Sequence, residues 1–165
     1  MSAHDGPCSL LGSDMNSDGK GYCQLNGPVD ASASGKPLDE SKRGAATAFS
    51  NLHMNGSEVF KFAVRAVPQT LKGSLSDAGL TSSDIDWLVM HQANQRILDA
   101  AAKKLKLDPE RVVSNLADYG NTSAASIPIA LDEAVRRGDI KSGDVLALAG
   151  FGAGLTWASA IIRWR

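Results

Sequence analysis

Apolar residues recur at helical spacing in three stretches of the chain and cluster in short runs between them. The helical spacing predicts helices over about 57–78, 94–105 and 124–137. The short apolar runs predict strands over about 85–90, 145–149 and 157–162. Asp108-Pro109-Glu110 predicts a further helix start, with Asp108 as the cap. Strands that alternate with helices indicate a layered α/β sheet.

The N-terminal third of the chain has a different composition. Residues 12–51 are rich in Gly, Ser, Asp, Asn and Pro, which predicts turns and loops. We therefore divide the chain into a loop-rich segment at 1–54 and an α/β domain at 55–165.

The composition of the 165 residues excludes several classes of protein. With 43% hydrophobic and 21% charged residues, the chain is typical of a globular domain. Its net charge of −1 lacks the basic excess of nucleic-acid-binding proteins, and no apolar run is long enough to cross a membrane. Residues 1–6 show no signal or transit pattern, so we expect no targeting segment in this chain. Cys8 and Cys23 are expected to be free, unreactive thiols.

Three short motifs combine residue types that can carry chemistry. His91-Gln92-Ala93-Asn94 falls where a predicted strand gives way to a helix, the place where α/β sheets bind ligands. Gly120-Asn121-Thr122-Ser123-Ala124-Ala125-Ser126 opens the last predicted helix, and Asn121 offers an amide donor in a tight loop. Phe151-Gly152-Ala153-Gly154 joins two strands, and such a turn can aim backbone N–H groups at an oxyanion. Taken singly, the motifs also fit structural roles: a histidine at a helix N-terminus, a helix cap and a hairpin turn.

Basic residues are concentrated on the second predicted helix. Between residues 91 and 106, the charged residues give a local excess of positive charge: Arg96, Asp99, Lys103, Lys104 and Lys106. This pattern fits either a solvated helix face or a docking site for an acidic partner.

The three motifs, in this order and with this spacing, resemble the C-terminal half of β-ketoacyl-acyl-carrier-protein synthase III. The resemblance covers essentially the whole chain and is strongest from Asn55 onward. Gln95 and Ala153 look like the plant and cyanobacterial branch. Residues 1–54 would then come from the end of the N-terminal half and the connection between halves, and 55–165 would be the C-terminal domain.

The resemblance implies the C-terminal half of a thiolase-like fold, a layered αβα unit with a mixed sheet. It implies an acyltransferase that initiates fatty-acid biosynthesis by condensing acetyl-CoA with malonyl-acyl-carrier protein to acetoacetyl-carrier protein. CoA and phosphopantetheine thioesters are then substrates, and no cofactor or metal is expected. The implied partners are acyl-carrier protein and, when the enzyme is complete, a second copy in a homodimer, with no nucleic acid and no membrane. The expected location is the plastid stroma, or the cytoplasm of a bacterium.

The resemblance also implies roles for individual residues. His91 and Asn121 would promote decarboxylation of the malonyl thioester, and the backbone N–H of Ala153 would help form an oxyanion hole. The pantetheine tunnel would be lined by Gly56, Phe60 and Asn94. The carrier-docking surface would comprise Lys61, Gln92, Ala93, Asn94, Gln95, Arg96, Lys103 and Lys104.

One part of the family's machinery has no counterpart in this sequence. The family takes the acetyl group on a cysteine of its N-terminal half, and neither Cys8 nor Cys23 lies in that motif. We therefore expect the chain to be a fragment of the enzyme. The alternative is a non-catalytic module that binds CoA or carrier protein, or that pairs with a separately encoded half. A nucleophilic cysteine upstream would distinguish the two.

Overall fold

The computed structural model describes residues 9–26 and 53–165. Expectations that fall on residues 1–8 and 27–52, including the one for Cys8, lie outside this range. The described strands are β1 (Leu10–Ser17), β2 (Leu25–Asn26), β3 (His53–Met54), β4 (Trp87–Met90), β5 (Val145–Gly152) and β6 (Thr156–Arg163). The described α-helices are α1 (Gly56–Asp77), α2 (Gln95–Leu105), α3 (Leu116–Tyr119) and α4 (Ser126–Arg137).

A mixed four-stranded sheet forms the centre of the domain, with the strands in the order β1-β6-β5-β4. β4 and β5 run parallel, which puts their carboxyl ends side by side. β6 is antiparallel to both of its neighbours, β5 and β1. β2 and β3 form a separate small ribbon. Next to its strands, the Asn55 N–H donates a hydrogen bond to the Gln24 carbonyl at 2.8 Å.

Helices cover the two faces of the sheet. α1 and α2 pack on one face, where Leu71 and Leu98 are fully buried. α4 packs on the opposite face through Ala130 and Ala134, both inaccessible to solvent. The apolar stripes that predicted these helices are therefore the faces that the helices bury against the sheet. The result is the layered α/β unit with a mixed sheet that the sequence predicted.

Asparagine caps fix where α1 and α2 begin. Asn55 Oδ1 accepts a hydrogen bond from the Glu58 backbone N–H at 3.3 Å, and Asn94 Oδ1 accepts one from the Arg96 N–H at 2.9 Å. Each cap satisfies a backbone donor that has no partner within the helix. α4 ends at Gly138, whose φ of 80° is a conformation that glycine adopts without strain.

The structure differs from the sequence prediction after Asp108 and at residues 12–17. Asp108 accepts a hydrogen bond from the Glu110 N–H, as a cap should, but the helix is only a 3₁₀ turn at Pro109–Arg111. Residues 12–17, expected as turns and loop, form most of β1, which lies at the edge of the central sheet. Gly12 lets this strand approach α1, because a Cβ there would overlap the α1 backbone. Within residues 9–26 and 53–165, no helix is long and apolar enough to span a bilayer.

A row of hydroxyl groups, here named the α1 hydroxyl line, joins α1 to the sheet. Ser74 Oγ lies 2.5 Å from Ser159 Oγ on β6. Ser159 Oγ donates to Thr70 Oγ1 at 3.2 Å, and Thr70 Oγ1 donates to Asp14 Oδ2 on β1 at 2.6 Å. Each hydroxyl can therefore give its hydrogen to the next group, and the line ends on the Asp14 carboxylate.

Candidate active site

An open cavity of about 550 Å³ lies at the carboxyl ends of β4 and β5, the edge where α/β sheets place their ligands. His91 follows β4, and Ala153 follows β5. Asn121 reaches the same cavity from the loop before α4, while Gly56 and Phe60 line it from α1. The three motifs, far apart in the sequence, therefore meet at one cavity.

The backbone and the ring of His91 are held by different contacts. The His91 N–H donates to the Ala149 carbonyl of β5 at 2.8 Å, which anchors the residue to the sheet. The ring is edge-on to Phe151, with 5.2 Å between ring centres, and Nδ1 lies 3.1 Å from the Ser126 hydroxyl. Burial lowers the pKa of His91 below its usual 6.5, and a hydrogen bond with the Ser123 backbone acts in the opposite direction. The ring is therefore mainly neutral at about pH 7.

Ser126 is a site residue that sequence reasoning missed. It is fully buried in the first turn of α4, and Thr122 Oγ1 donates to its hydroxyl oxygen at 3.2 Å. We name the row Thr122–Ser126–His91 the α4 hydroxyl line. Ser126 belongs to a motif seen in the sequence, but its contact with His91, 35 positions earlier, leaves no local signal.

Asn121 is exposed at the cavity wall. Its Oδ1 accepts a hydrogen bond from the Ser123 backbone N–H at 3.0 Å. This bond uses the oxygen of the amide and leaves the two Nδ2 hydrogens available as donors. Gly120, with a φ of 65°, turns the chain just before it. His91 and Asn121 thus bring an imidazole and an amide donor to the same cavity.

The Gly-rich segment after β5 forms the next wall. Phe151 and Gly152 still pair with β6, so they belong to β5 rather than to the turn. Ala153 is exposed and lines the cavity, and its carbonyl accepts a hydrogen bond from Thr156 Oγ1 at 3.0 Å. Gly154 has a φ of 134°, which side-chain-bearing residues rarely adopt. The backbone of Ala153 is therefore held at the cavity by a turn that needs glycine.

All three residues expected to line a substrate tunnel do line the cavity: Gly56, Phe60 and Asn94. Leu25 and Met54 of the β2–β3 ribbon line it as well, and no sequence motif indicated them. Each is an isolated apolar residue among polar neighbours in the sequence, so no helical or strand periodicity marks it. The ribbon thus forms an additional wall beside α1.

Basic side chains lie along α2, from the cavity wall to the last turn of the helix. Arg96 lies over the Phe60 ring, with 4.8 Å from the guanidinium carbon to the ring centre, so a cation stands at the cavity wall. Lys103 and Lys104 are exposed in the last turn of α2. Lys104 Nζ also donates to the Val64 carbonyl of α1 at 2.6 Å. The charge stripe seen in the sequence is therefore a solvent-exposed surface that begins at the cavity wall and runs along α2.

The other residues expected at the docking surface differ in exposure. Gln92 is fully buried, so its side chain is not available to a partner at the surface. Ala93 is half-buried and lines the cavity, and Gln95 is exposed in the first turn of α2. Lys61 is exposed but pairs with Glu58 at 2.7 Å. The expected surface residues that are exposed are Lys61, Asn94, Gln95, Arg96, Lys103 and Lys104.

Cys23 is free and exposed in the 3₁₀ turn Gly19–Gln24. In the part of the chain that the structure describes, no cysteine lines the cavity. The described residues therefore offer the cavity an imidazole, an amide and a backbone turn, without a thiol.

A family model described as 3-oxoacyl-[acyl-carrier-protein (ACP)] synthase III C terminal matches residues 75–164, more than half of the chain. The matched region contains His91, Asn121 and Ala153. The chain belongs to this synthase III family. The β-ketoacyl-acyl-carrier-protein synthase III of Microcystis aeruginosa is 52% identical over 164 residues, which is 98% of this chain and 48% of the relative. The chloroplastic synthase III of Arabidopsis thaliana is 53% identical, over 94% of this chain and 40% of the relative.

Solved structures of the synthase III family confirm the fold. The 3-oxoacyl-(acyl carrier protein) synthase III of Pseudomonas aeruginosa superposes with a TM-score of 0.84 at 39% identity. It matches 99% of this chain and 47% of its own. The Thermus thermophilus structure gives a TM-score of 0.83 at 42% identity, over 99% of this chain and 48% of its own. The chain thus spans about half the length of these synthase III relatives, and its fold is thiolase-like.

Proposed function

We propose that this chain supplies the decarboxylation residues of an initiating condensing enzyme, which joins acetyl-CoA to malonyl-acyl-carrier protein in fatty-acid synthesis. The proposal is carried by the meeting of a neutral His91 and the Asn121 amide at one cavity in a synthase III chain. The names of the relatives support an acyl-carrier-protein substrate.

The decarboxylation step requires hydrogen-bond donors. When the malonyl thioester loses carbon dioxide, a C–C bond breaks and its electron pair enters the thioester as an enolate. Negative charge then develops on the thioester oxygen, where His91 Nε2–H and Asn121 Nδ2–H would donate. Each such donor stabilises a transition state by about 3–4 kcal/mol. The enolate carbon would next attack an acetyl group held as a cysteine thioester, and the sulfur would leave as a thiolate.

The α4 hydroxyl line supports a donor role for His91. Because the Ser126 oxygen accepts the hydrogen of Thr122, its own hydrogen is free to point at His91 Nδ1. Nδ1 would then be the acceptor, and the proton of the neutral ring would sit on Nε2. That tautomer has its donor on the side of the ring away from Ser126.

We assign the nucleophilic cysteine of this reaction to a part of the enzyme outside the described residues. Cys23 is exposed in its turn and does not line the cavity. A relative about twice as long as this chain has room for a second half that carries the nucleophile. The Ala153 N–H would donate to the oxyanion formed when the enolate attacks the acetyl thioester.

The exposed basic surface supports docking of an acidic carrier protein. Arg96 lies at the wall of the cavity that a tethered substrate would enter, and Lys103 and Lys104 are exposed farther along the same helix. Binding across such a surface weakens as salt screens the charges. Homodimerisation, and a location in the plastid or the bacterial cytoplasm, stay predictions of the family resemblance.

The test measures carbon dioxide release from malonyl-acyl-carrier protein by the 165-residue chain. The chain is assayed in two forms: alone, and fused to the N-terminal half of the Microcystis aeruginosa relative. The fusion is named here the joined protein. The joined protein should release carbon dioxide and form acetoacetyl-carrier protein. Within it, His91→Ala and Asn121→Ala should each lower kcat by about 10²–10³-fold while malonyl-carrier protein still binds, because each removes one donor.

The matched control is His53→Ala, which removes an exposed histidine of β3 and should leave kcat unchanged. Wild-type turnover in either cavity variant would refute the donor roles. Carrier binding that persists without carbon dioxide release in both forms of the protein would favour the alternative, a non-catalytic binding module.

A further inference from the structure

Gln92, directly after His91, is fully buried and makes three hydrogen bonds. Its Nε2 donates to the carbonyls of Met90 at 2.9 Å and Val113 at 3.2 Å. Its Oε1 accepts from the Asn115 backbone N–H at 3.1 Å. Donors and acceptor of the amide are therefore all directed at backbone groups.

These bonds extend the edge of β4 beyond the last strand residue. Upstream, the Val113 N–H donates to the Leu88 carbonyl of β4 at 3.0 Å. Beyond the strand end the Gln92 side chain takes over, donating to Val113 and accepting from Asn115. The segment around Val113 is thereby held against the strand that leads into His91.

Asn115 carries the connection on to α4 and α3. Its Nδ2 donates to Glu133 Oε2 on α4 at 2.9 Å, and the same carboxylate accepts a hydrogen bond from the Tyr119 hydroxyl. The Asn115 carbonyl accepts the backbone N–H groups of Asp118 and Tyr119, each at 3.1 Å. α3 ends at Tyr119, and Asn121 follows after a single glycine.

We propose that Gln92, Asn115 and Glu133 are positioning residues that set the separation of His91 and Asn121 at the cavity. This rests on the proposed function, because it assigns the residues that hold its two donors. Among the described residues that line the cavity, none of these three is present. They act through His91 and Asn121 and do not touch substrate.

The test exchanges donor and acceptor in the hydrogen bond between Asn115 and Glu133. Asn115→Asp replaces the amide donor with a carboxylate that faces Glu133, so the two groups repel. In the joined protein, kcat for carbon dioxide release should fall by about 10–100-fold, with KM for malonyl-carrier protein changed by less than about twofold. Adding Glu133→Gln supplies an amide that can donate to the new carboxylate. The double variant should recover kcat to within about fivefold of the starting protein.

Two further variants keep the test sharp if Asn115→Asp folds poorly. Tyr119→Phe removes only the outer bond to Glu133 from an exposed side chain, and should lower kcat by about twofold to fivefold. Asp132→Asn is the matched control, because Asp132 is the exposed neighbour of Glu133 and pairs with Arg136 on the surface. Its kcat should equal that of the starting protein.

Melting temperatures and NMR spectra separate positioning from general stability. In the 165-residue chain, Asn115→Asp should shift the Asn121 side-chain amide and His91 ring signals, and the double variant should return them. Wild-type kcat in Asn115→Asp, or recovery of melting temperature without recovery of kcat in the double variant, overturns the inference. If the unaltered joined protein releases no carbon dioxide, the proposed function fails. The NMR signals then decide, and unchanged signals overturn the positioning role.

Discussion

The two hydroxyl lines of this domain are built alike and end differently. The α1 hydroxyl line runs from α1 into the sheet and stops on the Asp14 carboxylate. The α4 hydroxyl line runs from the loop before α4 and stops on the His91 ring, which borders the cavity. Both lines contain fully buried hydroxyls, at Thr70 and Ser74 in the first and at Ser126 in the second.

The difference shows where a buried polar network serves packing and where it serves a site. Within residues 9–26 and 53–165, no buried side-chain nitrogen or oxygen lacks a hydrogen-bond partner. The α1 line meets this condition by closing on protein groups at both ends. The α4 line satisfies one nitrogen of His91 and leaves the ring beside open space. Breaking the first should therefore cost stability, and breaking the second should cost turnover.

The largest expected effect comes from opening the α1 line in its middle. Thr70→Val keeps the shape of the side chain but removes the donor to Asp14 and the acceptor for Ser159. Losing these two hydrogen bonds should lower the free energy of unfolding by about 1–3 kcal/mol. Chemical denaturation of the 165-residue chain measures this loss.

Ser74→Ala gives the matched comparison within the same line. Ser74 stands at its far end, and without it Ser159 still donates to Thr70. The loss of stability should therefore be smaller than for Thr70→Val. In the joined protein, both variants should keep the kcat of the starting protein below their melting temperatures. A selective fall in kcat for Thr70→Val would show that the α1 line also serves the site.

A smaller effect, on turnover, is expected from opening the α4 line. Ser126→Ala removes the hydroxyl that lies 3.1 Å from His91 Nδ1, so the ring loses the group that we propose selects its tautomer. In the joined protein, kcat should fall about tenfold, since the donor remains present but is less well oriented. Thr122→Val acts one bond farther away and should have a weaker effect in the same direction.

Ser76→Ala is the control for Ser126→Ala, because Ser76 is an exposed serine on α1. Its kcat should not change. An equal kcat in Ser126→Ala and the starting protein would mean that the α4 line is packing, as the α1 line is. The contrast between the two lines would then be wrong.

The two lines also mark the limit of what the sequence could predict. Contiguous motifs predicted where His91, Asn121 and Ala153 stand, and the cavity unites them. Long helices and strands were predicted for the same reason, since apolar periodicity is local. Residues 12–17 of β1 were expected as loop because two residues that face α1, Gly12 and Asp14, are not apolar. A strand that packs through a glycine and a carboxylate shows no alternating pattern.

Contacts between distant segments explain the other misses. The family resemblance placed Gln92 at the docking surface, yet its amide is directed at backbone groups up to 23 positions away. Ser126 meets His91 only because α4 begins beside the end of β4. Neither contact follows from residue type or spacing, because each depends on how the helices are placed on the sheet.

The smallest expected effect concerns the pH at which His91, at the end of the α4 line, becomes protonated and kcat falls. Burial, the larger influence, lowers the pKa of His91 below 6.5, while the hydrogen bond with the Ser123 backbone opposes it. A protonated ring would stabilise the malonyl carboxylate that must be lost, so turnover needs the neutral form. The kcat of the joined protein should therefore be level above neutral pH and fall on acidification, with a midpoint below 6.5.

Ser126→Ala sharpens this test, because in the tautomer proposed for His91 the serine hydroxyl donates to Nδ1, and it can do so only while the ring is neutral. Without that bond the neutral form loses support, the pKa of His91 rises toward its usual value, and the midpoint moves to higher pH. An NMR titration of the His91 ring should show the same direction of change. The α1 line has no hydrogen bond to His91, so Thr70→Val should leave the midpoint where it is. A midpoint that moves down in Ser126→Ala would mean that Nδ1 donates to the serine, and that the tautomer proposed for His91 is reversed.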